Sequence, residues 1–371
     1  MTNQDDLLPV GLEDALPRRA AQITRAMRDI LDIMDAHGYD RVRPPLIEFE
    51  RSLAGRMEGV ATRRMIRFTD PESLRTLALR GDLTVQVGRI AATGMRAAPR
   101  PLRLCYAGDV ALLKADQLDP ARQRLQLGAE LIGSDGVAAA SEAVNLAVAA
   151  LEAAGVGDIS IDFTLPDLVD TLAENALPLP PERREAVRRE LDTKDAGGLV
   201  AAGGETYLPL LYATGPFDDA AHKLAEIDAG GALATRLEGL RQVAAAVAGN
   251  VRLTLDPTER HGFEYQSWFG FTLYTNSARN ALGRGGTYAI KGTDEPATGF
   301  SLYIEPILDA LGEPGDSTKD TVFLTLGHDR EAAANLRRDG WRTIAAIDES
   351  DKASALGCTH RMNAAGAAEK L

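Results

Sequence analysis

Leu125-Gln126-Leu127-Gly128-Ala129-Glu130-Leu131-Ile132 alternates cleanly between two characters. Leu125, Leu127, Ala129 and Leu131 fall on one side of an extended chain, and Gln126, Gly128 and Glu130 fall on the other. Such a strand has one apolar face to bury and one polar face, the habit of an antiparallel sheet. An unpaired buried carboxylate costs several kcal/mol (~, from ion desolvation), so the glutamate face looks into water or into a polar pocket. On this strand alone, a solvated sheet face is the simpler reading.

Working outward, Leu102–Asp109 is a second strand candidate, and Met65–Thr69 with Thr76–Leu79 reads as a hairpin around Asp70-Pro71-Glu72-Ser73. Leu83, Val87 and Ile90 mark an amphipathic helix, and Ile23, Met27, Ile30, Leu31 and Met34 another, opened by Pro17 and stopped by Gly38. Residues 39–45, with two prolines, read as a turn into a sheet edge. Downstream, an Ala-rich helix is expected over 138–153 and strands over 159–163, 251–255, 263–274 and 285–290. A last core helix is expected over 302–311. Residues 180–249 are helical in pattern, and the arginines within 183–189 sit among glutamates, as on an ion-paired solvated face. Gly312–Thr318 has linker composition, followed by a small βαβα pattern with strands at VFLTL and RTIAAI and helices over 330–338 and 352–356. The expectation is an α+β fold: a core over 1–311 with a helical insertion at about 180–249, then a small α/β module over 319–371.

The chain has 371 residues and a net charge of −13, which argues against a protein built to grip nucleic acid. It starts MTNQDDLLPVG, with too short an apolar run for a secretory signal, and its richest apolar stretch, 143–154, is too short and too polar to span a membrane. Two distant cysteines, Cys105 and Cys358, fit a reducing compartment and argue against a structural zinc. A cytoplasmic protein without metal, cofactor or membrane is expected.

Six segments, in order, resemble the histidyl-tRNA synthetase branch of the class II aminoacyl-tRNA synthetases. Gly38-Tyr39 with Arg43-Pro44-Pro45-Leu46-Ile47-Glu48 resembles motif 1, the dimer-forming element. Leu79-Arg80-Gly81-Asp82-Leu83-Thr84 resembles the Leu-Arg-Pro-Glu/Asp-x-Thr segment. Tyr106–Val110 with Gln126–Gly133 resembles motif 2 and its return strand. His261-Gly262-Phe263-Glu264-Tyr265 stands where the family has Arg-Gly-Leu-Asp-Tyr-Tyr, and Gly283–Tyr288 resembles the Gly-Gly-Arg-Tyr loop. Thr298–Glu305 resembles motif 3. The resemblance implies a class II synthetase-like antiparallel sheet flanked by helices. It also implies that Asp82, Thr84, Gln126, Glu130, Glu264 and Tyr265 surround a histidine ligand, whose ammonium and ring N–H need acceptors.

Three departures fall where the family uses arginine. The motif 2 position is Leu112, the motif 3 position is Pro306, and the arginine that activates the histidine carboxylate is replaced by His261. No arginine occurs in 107–121, so a small slip of register restores none. Adenylation spreads negative charge over the α-phosphorus, and each lost guanidinium contact costs about a few kcal/mol. Only roughly fifty residues follow the linker, against about a hundred in the synthetase's anticodon domain.

A synthetase-like core with these losses resembles the regulatory-subunit family of ATP phosphoribosyltransferase, the first enzyme of histidine biosynthesis. That resemblance implies a subunit with no chemistry of its own. Its partner is the short-form catalytic subunit, with which its homodimers assemble into a hetero-octamer. It is required for activity and for feedback inhibition by histidine. The alternatives are an active histidyl-tRNA synthetase, an adenylating enzyme that modifies a protein, and a scaffold for an unrelated partner.

Overall fold

The computed structural model describes residues 7–54, 65–113, 120–228, 230–260, 266–293, 295–313 and 320–371. They form two compact units, Met1–Glu313 and Pro314–Leu371.

In the first unit Pro17 opens α1 (Pro17–Ala36), where its missing N–H has no intrahelical acceptor to lose. Ala26, Ile30, Leu31 and Met34 form the buried stripe of this helix, and Gly38 turns the chain out of it at φ +80. There follow β1 (Asp40–Arg41), β2 (Ile47–Phe49), α2 (Glu50–Ala54), β3 (Arg67–Thr69), β4 (Thr76–Leu79) and α3 (Thr84–Ala92). Strands β2, β4 and β3 make a small antiparallel sheet in that order, including the expected hairpin. Next come β5 (Leu102–Ala111), β6 (Gln123–Ile132), α4 (Val137–Ala153) and β7 (Ile159–Thr164).

The stretch expected to be helical contains α5 (Leu168–Asn175), α6 (Pro181–Asp192), α7 (Ala196–Ala201), a 3-10 turn (Glu205–Tyr212), the two-residue β8 (Gly215–Pro216), α8 (Phe217–Ile227) and α9 (Ala234–Ala246). Three of the four arginines within 183–189 are paired. Arg184 meets Asp170 at 3.2 Å and Glu174 at 3.1 Å, Arg188 meets Asp170 and Glu185, and Arg189 meets Glu190 at 2.6 Å.

The unit closes with β9 (Arg252–Leu255), β10 (Gln266–Thr275), β11 (Gly283–Ile290), β12 (Glu295–Tyr303) and α10 (Ile304–Leu311). Strand β12 was not expected, and the helix read from Leu302 begins two residues later. The sequence Glu295-Pro296-Ala297-Thr298-Gly299-Phe300-Ser301 hides the strand, because one of its faces is built from small residues and has no apolar alternation to read.

These strands form a nine-stranded sheet, β1-β5-β6-β12-β11-β10-β7-β9-β8, antiparallel except at β1–β5 and β7–β9. One face carries Leu127, Ala129, Phe271, Phe300 and Leu302 and is buried with Ile30 and Met34 of α1 and with Ala143, Val144, Ala147 and Leu151 of α4. Truncating such a fully buried side chain to alanine removes about 2–5 kcal/mol. The opposite face carries the polar residues, roofed in part by α3, whose Val87 and Ala91 pack with Leu83, Tyr106, Val110 and Ile290.

The second unit holds β13 (Thr321–Leu324), α11 (Arg330–Arg338), β14 (Arg342–Ala345), β15 (His360–Met362) and β16 (Ala368–Lys370) in one sheet, β14-β13-β15-β16. Asp329 caps α11 by accepting from the amides of Glu331 (2.8 Å) and Ala332 (3.2 Å). The helix expected over 352–356 is absent: residues 353–357 are turns, ended by Gly357 at φ +66. Of the expected linker, only Gly312 and Glu313 lie within the described residues.

Candidate functional site

The polar face of β6 is not solvated, as a strand read alone suggested. Gln126 and Glu130 are each 1% exposed. The reason lies in pairing: β5 and β12 flank β6, and residues directly opposite in an antiparallel pair share a face. Gly128 lies opposite Tyr106 and Ser301, Glu130 opposite Gly299, and Gln126 opposite Tyr303. Tyr106 and Ser301 thus close over a face that looked open along a single strand.

Four of the expected residues converge. Gln126 Nε2 donates to Asp82 Oδ1 (2.8 Å) and to Ser301 Oγ (2.7 Å), while its Oε1 accepts from the Leu83 amide (3.0 Å). The Thr84 amide donates to Asp82 Oδ1 at 2.9 Å, and Thr84 Oγ1 lies 3.0 Å from the Tyr106 hydroxyl. Glu130 accepts on both oxygens, from Tyr106 at 3.0 Å and from Tyr288 at 2.8 Å. Burial pushes the Glu130 carboxyl up to about 8; the bonds from Tyr288 and Tyr106 pull against this, and the Asp82 charge adds to the rise. Burial likewise raises Tyr106 well above an ordinary phenol, so it remains a donor. Asp82 and Glu130 bring two carboxyl groups to one place, and their acceptor oxygens suit the N–H donors of a ligand.

Tyr106, Tyr288 and Ser301 went unassigned in the sequence because their role depends on strand register. Two glycines make room for them. A Cβ on Gly299 would stand 1.7 Å from Glu130 Oε2, and one on Gly128 would stand 2.3 Å from the Tyr106 hydroxyl. Arg80 holds the segment leading to Asp82: its Nε donates to the Asp109 carbonyl (2.7 Å) and its Nη1 to the Pro44 carbonyl (3.0 Å).

Leu112 follows β5, and its amide and carbonyl are tied to Arg122. Pro306 is buried in the first turn of α10, where a proline is tolerated. Neither can hold a phosphate. Glu264, Tyr265 and His261 lie outside the described residues. Among the described residues no group of three or more His, Cys, Asp or Glu could hold a metal ion, and no helix is long and apolar enough to cross a membrane.

Sheet, helices and polar face together define a class II synthetase-like protein, and a family model described as Histidyl-tRNA synthetase matches residues 11–307. Two solved structures share the fold. A Bacillus halodurans protein described as an ATP phosphoribosyltransferase regulatory subunit/histidyl-tRNA synthetase superposes with a TM-score of 0.82 at 22% identity, over 96% of this chain and 97% of that one. The Nostoc histidyl-tRNA synthetase superposes with a TM-score of 0.75 at 15% identity, over 96% of this chain and 90% of that one. Sequence relatives narrow the branch. The chain is 40% identical over 368 residues to a Rhodospirillum centenum protein, spanning 95% of this chain and 94% of that one. It is 39% identical over 371 residues to a Rhodospirillum rubrum protein, spanning 97% and 96%. Both carry the name ATP phosphoribosyltransferase regulatory subunit, and the chain belongs to that family, whose members are regulatory subunits of an enzyme complex.

Proposed function

We propose that this chain senses histidine for a short-form catalytic ATP phosphoribosyltransferase chain, with which it assembles as homodimers in a hetero-octamer. In that assembly it is needed for activity and transmits feedback inhibition. The observation that carries the reading is a split in the site: the amino-acid end keeps a connected acceptor network around Asp82, Gln126 and Glu130, while the nucleotide end has Leu112 and Pro306 in place of arginines. A pocket that binds its ligand more tightly in one state of an assembly becomes a sensor. Leu46 and Ile47, on the segment that resembles motif 1, and Phe68 and Leu74, of the adjoining β3–β4 hairpin, are exposed and support self-association there.

The test is reconstitution. The chain alone is expected to have no phosphoribosyltransferase activity and no histidine-dependent ATP–pyrophosphate exchange. Mixed with the catalytic chain, it is expected to shift that chain on a sizing column and to yield histidine-inhibited activity. An unshifted catalytic chain sinks the partner assignment, and robust exchange restores the synthetase alternative.

A further inference from the structure

The polar face of the sheet continues past the acceptor network. Arg124 lies two residues before Gln126 on β6, and Arg284 lies opposite Ser301 on β11, so both belong to the face that bears Gln126 and Ser301. Tyr303, opposite Gln126, stands among them: the Arg124 guanidinium is 5.6 Å from its ring centroid. Its phenol is pushed up to about 12 by burial and then by Asp82 and Glu305, with Arg284 and Arg124 acting the other way, so two carboxyl groups and two guanidinium groups lie near one hydroxyl. On the next strand Thr272 lies opposite Arg284; it is 1% exposed and its Oγ1 has no hydrogen-bond partner among the described residues. A buried hydroxyl left without a partner is destabilising, and a ligand atom placed beside it would recover the loss.

The geometry points to Arg124, Arg284 and Thr272 as an anion subsite that takes the α-carboxylate of an amino acid whose α-ammonium rests on Asp82. This inference rests on the histidine-sensing reading. An α-amino acid carries both charges on one carbon, and Asp82 and the two arginines stand around a single phenol, so one zwitterion meets both. Arginine suits the carboxylate because its planar fork donates two parallel hydrogen bonds. The position that the synthetase resemblance assigns to the histidine carboxylate, 261, is not an arginine here. The guanidinium groups come from other strands.

The experiment is calorimetric titration of the full chain, and of its complex with the catalytic chain, with L-histidine and with histidinol, in which a hydroxymethyl group replaces the carboxylate. The wild type is expected to bind histidine at least tenfold more tightly than histidinol. Arg284→Gln and Arg124→Gln are each expected to bring this ratio towards one while leaving histidinol affinity within twofold. Thr272→Val keeps the shape and the fold and is expected to lower the ratio severalfold, and Arg284→Lys to retain part of it. A ratio unchanged in all four folded variants overturns the subsite. So does loss of inorganic phosphate binding with the histidine-to-histidinol ratio intact, which would assign the arginines to phosphate. If the wild-type chain and complex bind neither compound, the sensing reading itself fails, a result distinct from an unchanged ratio.

Discussion

At Glu130 two opposing effects meet. Leaving water disfavours the carboxylate, and two tyrosine hydroxyls favour it, with the balance at about 8 against the ordinary 4.5. Between these values the folded chain holds a proton that the unfolded chain releases. The stabilisation from this group is therefore complete below pH about 4.5 and is lost as the pH rises through about 8. Glu130→Gln removes the titration and nearly preserves the volume. Urea midpoints from pH 5 to 9 are expected to show the wild type losing stability relative to the variant as the pH climbs; a constant gap between the two would contradict the burial argument. Tyr288→Phe leaves Glu130 Oε2 without its 2.8 Å donor. Its expected cost is about 1–3 kcal/mol in the same assay at pH 9, and less at pH 5, where the acid is neutral.

Among the strands, β6 and β12 approach so closely that only glycine fits at Gly299. Gly299→Ala is expected to displace the Glu130 carboxylate, to cost about 1–3 kcal/mol or more, and to weaken histidine binding in a protein whose circular dichroism is unchanged. Apolar rhythm makes most elements legible in the sequence: the stripe of α1, the hairpin, the alternation of β6, and α11 from Arg330 to Arg338. Rhythm fails where function or brevity has removed it. Strand β12 gave up apolar alternation so that one of its faces could be low, and residues 353–357 make only turns. The site is half legible for a related reason. Asp82, Thr84, Gln126 and Glu130 can be carried from a resemblance, but Tyr106, Tyr288 and Ser301 enter through pairing across strands, and a chain read one segment at a time does not contain pairing.

Over the molecule as a whole, the first unit has a synthetase-like scaffold, with Leu112 and Pro306 where the resemblance expects phosphate-binding arginines, a combination that suits a protein acting through a partner. In the reconstituted complex, Glu130→Ala is expected to raise the histidine concentration for half-inhibition by tenfold or more, with co-elution of the two chains preserved. Inhibition that is unchanged would place sensing elsewhere in the assembly. The close approach of Gly299 to Glu130 has a bearing on how the chain finds its fold. Sliding β12 along β6 by one position would set Thr298 or Phe300 against the acid, and sliding by two would set Ala297 or Ser301 there, each bringing a side-chain carbon where none fits. The polar face thereby acts as a gauge of register, disfavouring misaligned pairings of β6 and β12.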